Sequence, residues 1–336
     1  MKLDTILGGD LTTAAEVAKK AEDLGFSGLW TAEALNTPYL PHAVAALATE
    51  RVDLGTAIAV AFPRSPMVHA MTAWDLHKAS RGRFVLGLGT QIRKHNEHRF
   101  SVAYDRPGPR LRDMVLAIRH IWECFDGEHG LDYHGEFFTH DYIQPFFNPG
   151  PTGFGRPRIM IAAVGPYMCK TAGEVCDGIQ IHPFHTTKFL DEHVMPNVDA
   201  GLTKAGKTRD GFEFATTTFV LTGDERQQDA MAAMARTQIA FYGSTPAYAK
   251  VFECEGWDGL QPQLQQLMRS RDMAKMSALI TDEVLDRFCV RAPFDSLADA
   301  IRDKYEGKID RLGFYMPIIG GGQEKEWGRV IEDLSR

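Results

Sequence analysis

The chain has 336 residues, 44% of them hydrophobic and 24% charged, and its formal net charge at pH 7 is −7. That composition excludes a disordered or collagen-like chain, and a mildly acidic balance without a basic run disfavours nucleic acid or an anionic membrane surface as a partner. The five cysteines form no CxxC pair, the first residues are too polar for a secretion signal, and no stretch reaches the about 18 apolar residues of a membrane span, so we expect a soluble cytoplasmic protein.

The N-terminal third of the chain alternates between strand and helix patterns. Thr13 and Glu16 have the spacing of a capping box at the start of the first helix, and Gly25 ends that helix. Ser65 followed by Pro66 is typical of the cap and first residue of another helix. Apolar runs of strand length lie between the helices, as in parallel strands covered on both faces. The predicted strands are residues 3–7, 28–32, 52–61 and 83–89, and the predicted helices are residues 14–24, 41–51 and 66–80.

The rest of the chain supplies a long amphipathic helix over residues 107–125 and four more strands, predicted at residues 159–164, 178–181, 212–221 and 312–316. Eight strands separated by helices favour a (β/α)8 TIM barrel over a six-stranded doubly wound sheet. No linker or low-complexity tract interrupts the chain, so we predict a single domain over residues 1–336. Three stretches are interpreted as insertions into the barrel: residues 126–157, which have a hairpin-like aromatic pattern, 182–205 and 243–275.

Two glycine motifs resemble nucleotide-binding loops without their context. Residues 201–208 match the Walker A pattern letter by letter, but a helix-like segment precedes them and a strand comes after them, which inverts the order of a P-loop. Gly206 is therefore interpreted as the end of a helix. Gly87 and Gly89 supply two glycines of a dinucleotide fingerprint, but the next segment (residues 93–99) is expected to be a charged loop rather than a helix. Two interpretations of these strand glycines stay open: close approach of a ligand, or tight barrel packing.

A better candidate for binding an anion is the pair Gly165 and Pro166. An apolar strand runs into this pair and a helix begins after it, with proline suited to the first helical position. The backbone N–H groups of Tyr167 and Met168 would then lie free at the positive end of the helix dipole, which is how a phosphate is bound without a lysine. An ordinary strand-to-helix turn would also use glycine and proline.

Three titratable residues directly follow predicted barrel strands and are candidates for proton transfer. Glu33 follows the second strand, and His182 and His185 follow the sixth. We predict no metal site, because His95 and His98 lie in a polar stretch without a third ligand and the HExxH motif is absent.

Over essentially its whole length the chain resembles the luciferase-like superfamily of flavin- and deazaflavin-dependent oxidoreductases. Each motif is loose alone, but together they occur in order and at barrel spacing. Within this superfamily the segment AVAFPRSP (residues 59–66) is most similar to the coenzyme F420-dependent branch. The other stretches that carry the resemblance are AEDLGFSGLW (21–30), LGTAI (54–58), SRGRFVLGLG (80–89), RLRDM (110–114) and AGEVCDG (172–178).

The resemblance implies a cofactor ring lying across the C-terminal ends of the strands, backed by a non-proline cis peptide that maps onto Ala57 and Ile58. It also implies cofactor contacts after the fourth and fifth strands, which map onto Gly89, Thr90, His95, Ala163, Val164, Gly165, Pro166, Tyr167 and Met168. Two positions depart from the family pattern. Ala34 stands where several deazaflavin enzymes have a catalytic histidine, and Arg291 precedes Ala292-Pro293 where a glycine is usual.

The function implied by the resemblance is an F420-dependent oxidoreductase that transfers a hydride between the deazaflavin C5 and an unidentified small organic substrate. Phe137, Phe138 and Phe184 are expected to line the substrate pocket, and a homodimer is the arrangement usual in the family. Two alternatives stay open. One is an FMN-dependent monooxygenase on the same fold, and the other is a barrel that binds a flavin or deazaflavin without catalysis.

Overall fold

The computed structural model describes residues 1–8, 10–316, 318–319 and 322–335, and within them eight parallel strands close into a barrel. Closure occurs where the last strand pairs with the first, with Leu312 opposite Leu3. The predicted (β/α)8 barrel is therefore confirmed. The barrel strands are β1 (Lys2–Ile6), β2 (Gly28–Thr31), β3 (Asp53–Thr56), β4 (Phe84–Gly89), β5 (Arg158–Ala163), β6 (Gly178–Ile181), β7 (Glu213–Leu221) and β8 (Arg311–Phe314).

Helices connect the strands and cover the outside of the barrel. None of those in the described ranges combines the length and hydropathy that crossing a bilayer needs. They are α1 (Ala14–Asp23), α2 (Leu40–Ala48), α3 (Pro66–Ala79), α4 (Arg93–His98), α5 (Pro107–Phe125), α6 (Pro166–Val175), α7 (Thr187–Phe189), α8 (Met195–Lys204), α9 (Glu225–Gly243), α10 (Ala249–Cys254), α11 (Leu260–Ser270), α12 (Met273–Ala278), α13 (Asp282–Phe288), α14 (Phe294–Tyr305) and α15 (Glu324–Ser335).

The predicted strand over residues 52–61 is divided in two. β3 ends at Thr56, a cis peptide bond joins Ala57 to Ile58, and the next two residues (Ala59–Val60) form a short strand beside the end of β4. The apolar run continues through this break because residues on both sides of it are buried. Hydrophobic periodicity therefore could not reveal where the strand ends.

The predicted capping box on α1 is wrong, whereas the predicted cap of α3 is confirmed. Thr13 already has a nearly helical ψ of −8° and makes no side-chain cap, and Glu16 pairs with Lys20 at 2.7 Å instead. At α3 the hydroxyl of Ser65 accepts the backbone N–H of Val68 at 3.3 Å.

The hairpin predicted in residues 126–157 is present as two short paired strands (Tyr133–His134 and Thr139–His140). Residues 182–205, in contrast, are not an insertion. They include α8, which packs on α6 as the regular helix between β6 and β7. The third predicted insertion (residues 243–275) extends past residue 275, because α12, α13 and a short strand (Cys289–Arg291) come before α14.

The Walker A match is explained by the packing and the end of α8. A Cβ atom on Gly201 would lie 2.0 Å from the carbonyl oxygen of Lys170, so glycine is required where α8 crosses α6. Gly206, with φ of +67°, ends the helix as predicted, and the N–H of Lys207 bonds the carbonyl of Leu202 at 2.9 Å.

Charged side chains fill the N-terminal end of the barrel. The fully buried Arg311 donates to both carboxylate oxygens of Asp4, each at 2.9 Å, and to Asp53 at 2.6 Å. Arg158 adds bonds to Asp53 at 2.9 Å and to Glu213 at 2.8 Å. Burial acts against ionisation of Asp53 and Glu213, but the neighbouring cations, Arg311 first and Arg158 with it, together outweigh it and hold both pKa values below their ordinary range. These ion pairs occupy the end of the barrel opposite the C-terminal rim, at which (β/α)8 barrels bind their ligands.

Candidate active site

The C-terminal ends of the barrel strands form one rim, and most sequence-predicted site residues lie on it. Glu33 follows β2, Ala57 and Ile58 follow β3, and His182 follows β6. Strands β4 and β5 lead into the remaining predicted contacts, Gly89, Thr90, Ala163, Val164, Gly165, Pro166, Tyr167 and Met168. This is the face on which (β/α)8 barrels build their active sites.

The cis peptide between Ala57 and Ile58 lies where the resemblance implies it. Two hydrogen bonds on the β2 side hold this segment: the N–H of Ala57 bonds the carbonyl of Thr31 at 2.6 Å, and the N–H of Glu33 bonds the carbonyl of Ile58 at 3.0 Å. Ala57 itself is exposed. A small side chain on a fixed backbone is therefore presented at the rim.

Glu33 is buried and engaged in a bidentate ion pair. Arg64 donates to its two carboxylate oxygens at 2.6 and 2.9 Å, and the N–H of Val60 donates to one of them at 2.7 Å. Burial opposes the charge of Arg64, but the hydrogen bond and charge of Glu33 outweigh it and raise the pKa of the guanidinium. The carboxylate thus holds the segment after β3 in place. Both of its oxygens already accept hydrogen bonds, which leaves neither of them free for proton transfer.

The glycines of β4 make room for protein atoms. A Cβ on Gly87 would lie 1.7 Å from the carbonyl oxygen of Thr56, and one on Gly89 would lie 2.8 Å from the side chain of Ile58. The packing interpretation therefore accounts for both glycines. Gly89 also sets how closely the Ile58 side chain can lie against β4.

The segment after β4 differs from the charged loop expected over residues 93–99, because residues 93–98 form the short helix α4. Asn96, buried on its inner side, donates to the carbonyls of Thr90 at 2.9 Å and Ile92 at 3.1 Å. Because the residues around Asn96 are mostly charged, the sequence did not predict that this amide side chain is buried. His95, on the same helix, is half-buried near Thr90.

The N-terminus of α6 is open, as Gly165 and Pro166 predict. Gly165 is the N-cap, has no side chain to cap the helix, and a Cβ placed on it would meet nothing within 4 Å. Residues 165–167 are exposed. This ten-residue helix therefore presents the N–H groups of Tyr167 and Met168 toward the rim without a capping side chain, which suits a phosphate group.

His182 and His185 lie in different environments. His182 is a half-buried residue at the rim, and its ring stacks on Tyr248 with 4.7 Å between ring centroids. His185 is only 2% exposed, and its ring nitrogens contact the carbonyl of His182 at 2.9 Å and the hydroxyl of Tyr305 at 3.3 Å. Burial lowers the pKa of both histidines to about 4, so both are neutral at pH 7.

Phe184, which is expected to line the pocket, and Arg291, which departs from the family pattern, both contact other side chains of the protein. Phe184 is buried and stacks on Phe288 at 4.7 Å rather than lining an open pocket. Arg291 makes ion pairs with Asp286 at 3.6 Å and Asp282 at 3.8 Å. Phe137 and Phe138 are half-buried beside the start of α5.

Sequence reasoning missed two residues that support the rim. Gln180 donates to the carbonyl of Thr56 at 2.9 Å, and its buried Oε1 has no hydrogen-bond partner in the described part of the chain. Arg64 lies in a stretch that carries the family resemblance, but the sequence did not indicate its partner. The polar residue within the otherwise apolar strand β6 was the available indication for Gln180.

Away from the rim, His120, Glu123 and His129 lie close enough together to be considered as metal ligands. Their hydrogen bonds oppose this. The N–H of Asp132 donates to Nε2 of His120 at 3.2 Å, so the neutral ring carries its proton on Nδ1, the nitrogen that lies 3.9 Å from Glu123. The second such group, Glu192, His193 and Cys254, includes a thiol whose pKa burial raises to about 11.

The structure is thus a (β/α)8 barrel whose C-terminal rim carries an uncapped helix N-terminus at Gly165 and a non-proline cis peptide between Ala57 and Ile58. The sequence profile of the luciferase-like monooxygenase family matches residues 3–311, and the chain belongs to that family. An uncharacterised protein of Mycobacterium tuberculosis, Rv1360, is 42% identical over 337 aligned residues, which cover 100% of this chain and 98% of the relative.

More distant similarities extend to proteins of named function. A 5,10-methylenetetrahydromethanopterin reductase of Archaeoglobus fulgidus is 29% identical over 309 residues, covering 89% of this chain and 88% of the reductase. Among solved structures, the coenzyme F420-dependent tetrahydromethanopterin reductase of Methanopyrus kandleri superposes with a TM-score of 0.79 and 19% identity, covering 100% of this chain and 98% of that chain. The structural similarity supports the shared barrel fold.

Proposed function

We propose that the protein is a coenzyme F420-dependent oxidoreductase that transfers a hydride between the deazaflavin and a small organic substrate. The observation that carries the proposal is the open N-terminus of α6 on the same rim as the exposed Ala57. A phosphate-bearing cofactor with a planar ring could use both features. The Archaeoglobus relative is named as a reductase, and the Methanopyrus structure is named as that of a coenzyme F420-dependent reductase.

The residues present fit such a cofactor. The free N–H groups of Tyr167 and Met168, next to Gly165, would hold the phosphate, and Ala57 with Ile58 would support the ring. Further rim contacts would come from Gly89, Thr90, His95, Ala163, Val164 and Pro166. When bound, the deazaflavin supplies or accepts the hydride.

The chain's own residues position and shield the reactants. Glu33 and Arg64 fix the segment after β3, and this structural role is the one their geometry favours. Of the three candidates for proton transfer, His182 is half-buried at the rim, whereas His185 is buried and contacts the carbonyl of His182. Because ion pairs centred on Arg311 occupy the other end of the barrel, both reactants would bind at the same rim.

Fluorescence titration with oxidised F420 tests the proposal, and we expect saturable binding in the micromolar range with competition by inorganic phosphate. Binding of FMN instead, with oxygen consumption supported by reduced FMN, would favour the monooxygenase alternative. Binding of F420 without hydride transfer to any compound of a broad substrate panel would favour a binding protein.

A further inference from the structure

The ring of His182 is held in one position at the rim. It stacks on Tyr248 with 28° between the ring planes, and the ring of Tyr242 meets it edge-on at a centroid distance of 4.6 Å. Tyr248 lies directly before α10 and Tyr242 lies on α9, so residues from two segments outside the barrel strands pack on the ring. This confinement leaves the imidazole little rotational freedom.

A backbone contact fixes which ring nitrogen carries the proton. The N–H of Phe184 donates to Nδ1 of His182 at 3.1 Å, which requires a lone pair on Nδ1. The neutral ring therefore carries its proton on Nε2, which makes that atom a hydrogen-bond donor. Burial and repulsion by His185 lower the pKa of His182 to about 4, so the same form persists at neutral pH.

The loop that carries His182 is anchored from the core. Nδ1 of His185 bonds the carbonyl oxygen of His182 at 2.9 Å, and Nε2 of His185 lies 3.3 Å from the hydroxyl of Tyr305. Tyr305 in turn bonds the hydroxyl of Thr218 on β7 at 2.9 Å. His185 is thus a positioning residue for His182, acting through the backbone.

The two tyrosine rings that contact His182 in the described part of the chain are polar without being charged. The hydroxyls of Tyr242 and Tyr315 bond each other at 2.7 Å, and burial raises the pKa of Tyr248 to about 12, so it stays a neutral phenol. Lys304, whose charge reaches His185 from behind, is occupied by backbone carbonyls, among them that of Cys289 at 2.6 Å. Beside these tyrosine rings a carboxylate substrate would lose its hydration without gaining a cation from them, whereas an uncharged oxygen needs one donor.

We propose that Nε2–H of His182 donates a hydrogen bond to the oxygen of an uncharged carbonyl substrate, which makes His182 a residue that determines substrate class. The inference rests on the proposed hydride transfer. In the reductive direction the carbonyl carbon gains a C–H bond with the hydride pair from the reduced deazaflavin, which is left oxidised. The π pair of the carbonyl moves to oxygen, which takes a proton from water. His182 keeps its own proton and stabilises the charge that develops on oxygen.

The first test reads the tautomer by NMR of protein with 15N-labelled histidine, with no cofactor present and with H182F to assign the ring. We expect a neutral ring protonated on Nε2 at every pH from 8 to about 5, since the pKa is far below its ordinary value of about 6.5. A proton on Nδ1, or titration near pH 6.5, would overturn the proposal. Failure of F420 to bind would instead overturn the proposed function and leave this result standing.

The second test adds acetophenone, cyclohexanone or benzoate to the labelled protein in the presence of oxidised F420. We expect the two ketones to shift the His182 Nε2–H resonance and benzoate to leave it unchanged. A response to benzoate alone, or to none of the three probes, would overturn the assignment of substrate class.

Variants separate the hydrogen bond from the packing of the ring. H182F keeps an aromatic ring between the two tyrosines and removes the donor, so we expect kcat/KM for ketone reduction to fall about 10- to 100-fold while F420 affinity is retained. H182Q restores a donor and should recover part of the loss. H193F changes a histidine in the π-helical turn before α8 and serves as the control. Equal kcat/KM in H182F and the unsubstituted protein would contradict the donor role.

Discussion

Among single residues, Arg311 forms a buried ion-pair network with several carboxylates. Its guanidinium is fully buried at the N-terminal end of the barrel, and three carboxylates, Asp4, Asp53 and Glu213, surround it at 2.6 to 3.5 Å. A buried pair contributes little net stability over an apolar replacement of both partners. Removing one partner is costly, because it leaves an unpaired charge out of water.

Replacement of Arg311 by methionine should therefore destabilise the fold by about 3–5 kcal/mol, because three carboxylates lose their common cation. Urea unfolding followed by circular dichroism measures the change. R329M is the control, since Arg329 is exposed on α15 and lies 3.9 Å from Glu326, and it should change stability by less than about 0.5 kcal/mol. Equal effects of the two substitutions would contradict the structural role of Arg311.

The residue scale also shows why the candidate site was only partly predictable. The position of Glu33 after a strand put it on the rim, and the structure places it there. Its partner Arg64 comes 31 residues later on another loop, and no periodicity links the two positions. His185 has the same sequence context as His182, but contacts with β7 and α14 bury one and leave the other accessible. Such long-range contacts decide whether a polar residue at the end of a strand faces ligand or core.

At the scale of elements, α6 couples the fold to the proposed cofactor through its uncapped N-terminus. Gly165 has φ of −85°, which any residue can adopt, and its Cβ position is free. Aspartate at an N-cap bonds the free N–H groups of the first turn and stabilises the helix dipole. The same carboxylate would occupy and repel the site of a phosphate.

We therefore expect G165D to raise or preserve the melting temperature while weakening F420 binding at least about tenfold. Fluorescence titration and differential scanning calorimetry measure the two effects. G259D is a matched control, because Gly259 is the N-cap of α11 and that helix also has no capping side chain. It should leave F420 affinity unchanged. Unaltered affinity in G165D would show that the phosphate binds elsewhere.

The elements themselves were largely predictable because parallel barrel strands are short, apolar and regularly spaced. All eight strands were found, and the helix over residues 107–125 has the predicted bounds. The errors have local causes. The break after Thr56 lies inside a continuously apolar run, and α4 has a charged sequence whose helix is held by the single buried side chain of Asn96.

At the scale of the whole molecule, buried neutral histidines make stability depend on pH. Burial lowers the pKa of His42 to about 3 and those of His69, His182 and His185 to about 4. In the unfolded chain these rings titrate near pH 6.5, so between about pH 6.5 and 4 the unfolded state binds more protons than the folded state. Stability is therefore full above this range and falls as the pH decreases through it.

Each of these histidines should contribute a slope of up to about 1.4 kcal/mol per pH unit to the free energy of unfolding. Urea unfolding at pH 7.5, 6.5 and 5.5 measures the total, in a range above that in which the carboxylates titrate. H42Q should reduce this slope by up to about 1.4 kcal/mol per pH unit, which corresponds to one proton. H134Q, which removes an exposed ring, should leave the slope unchanged. A flat profile from pH 7.5 to 5.5 would contradict the neutral burial of these rings.

Helices α2 and α3 expose several large apolar side chains. Leu47 is 83% exposed, and Leu40 lies on the same face of α2, which contains no charged residue. On the neighbouring helix α3, Val68 and Met71 are also exposed. Because the α2 face carries no charge, two copies can meet across a two-fold axis without like charges opposing each other. We propose that this surface is the contact between subunits of a homodimer, the assembly that the family resemblance implies.

Size-exclusion chromatography with light scattering should accordingly give twice the chain mass for the unsubstituted protein. L47E places two charges at the proposed contact and should yield monomers, because burying an unpaired carboxylate costs more than the contact gains. M234E introduces the same charge on α9, where Met234 is 54% exposed, and should leave the dimer intact. A monomer at all concentrations would disprove the dimer, and a dimer that survives L47E would place the contact on another face.

Because the α6 site lies within one barrel, F420 affinity should be equal in the L47E monomer and the dimer, so that assembly and cofactor binding are separable.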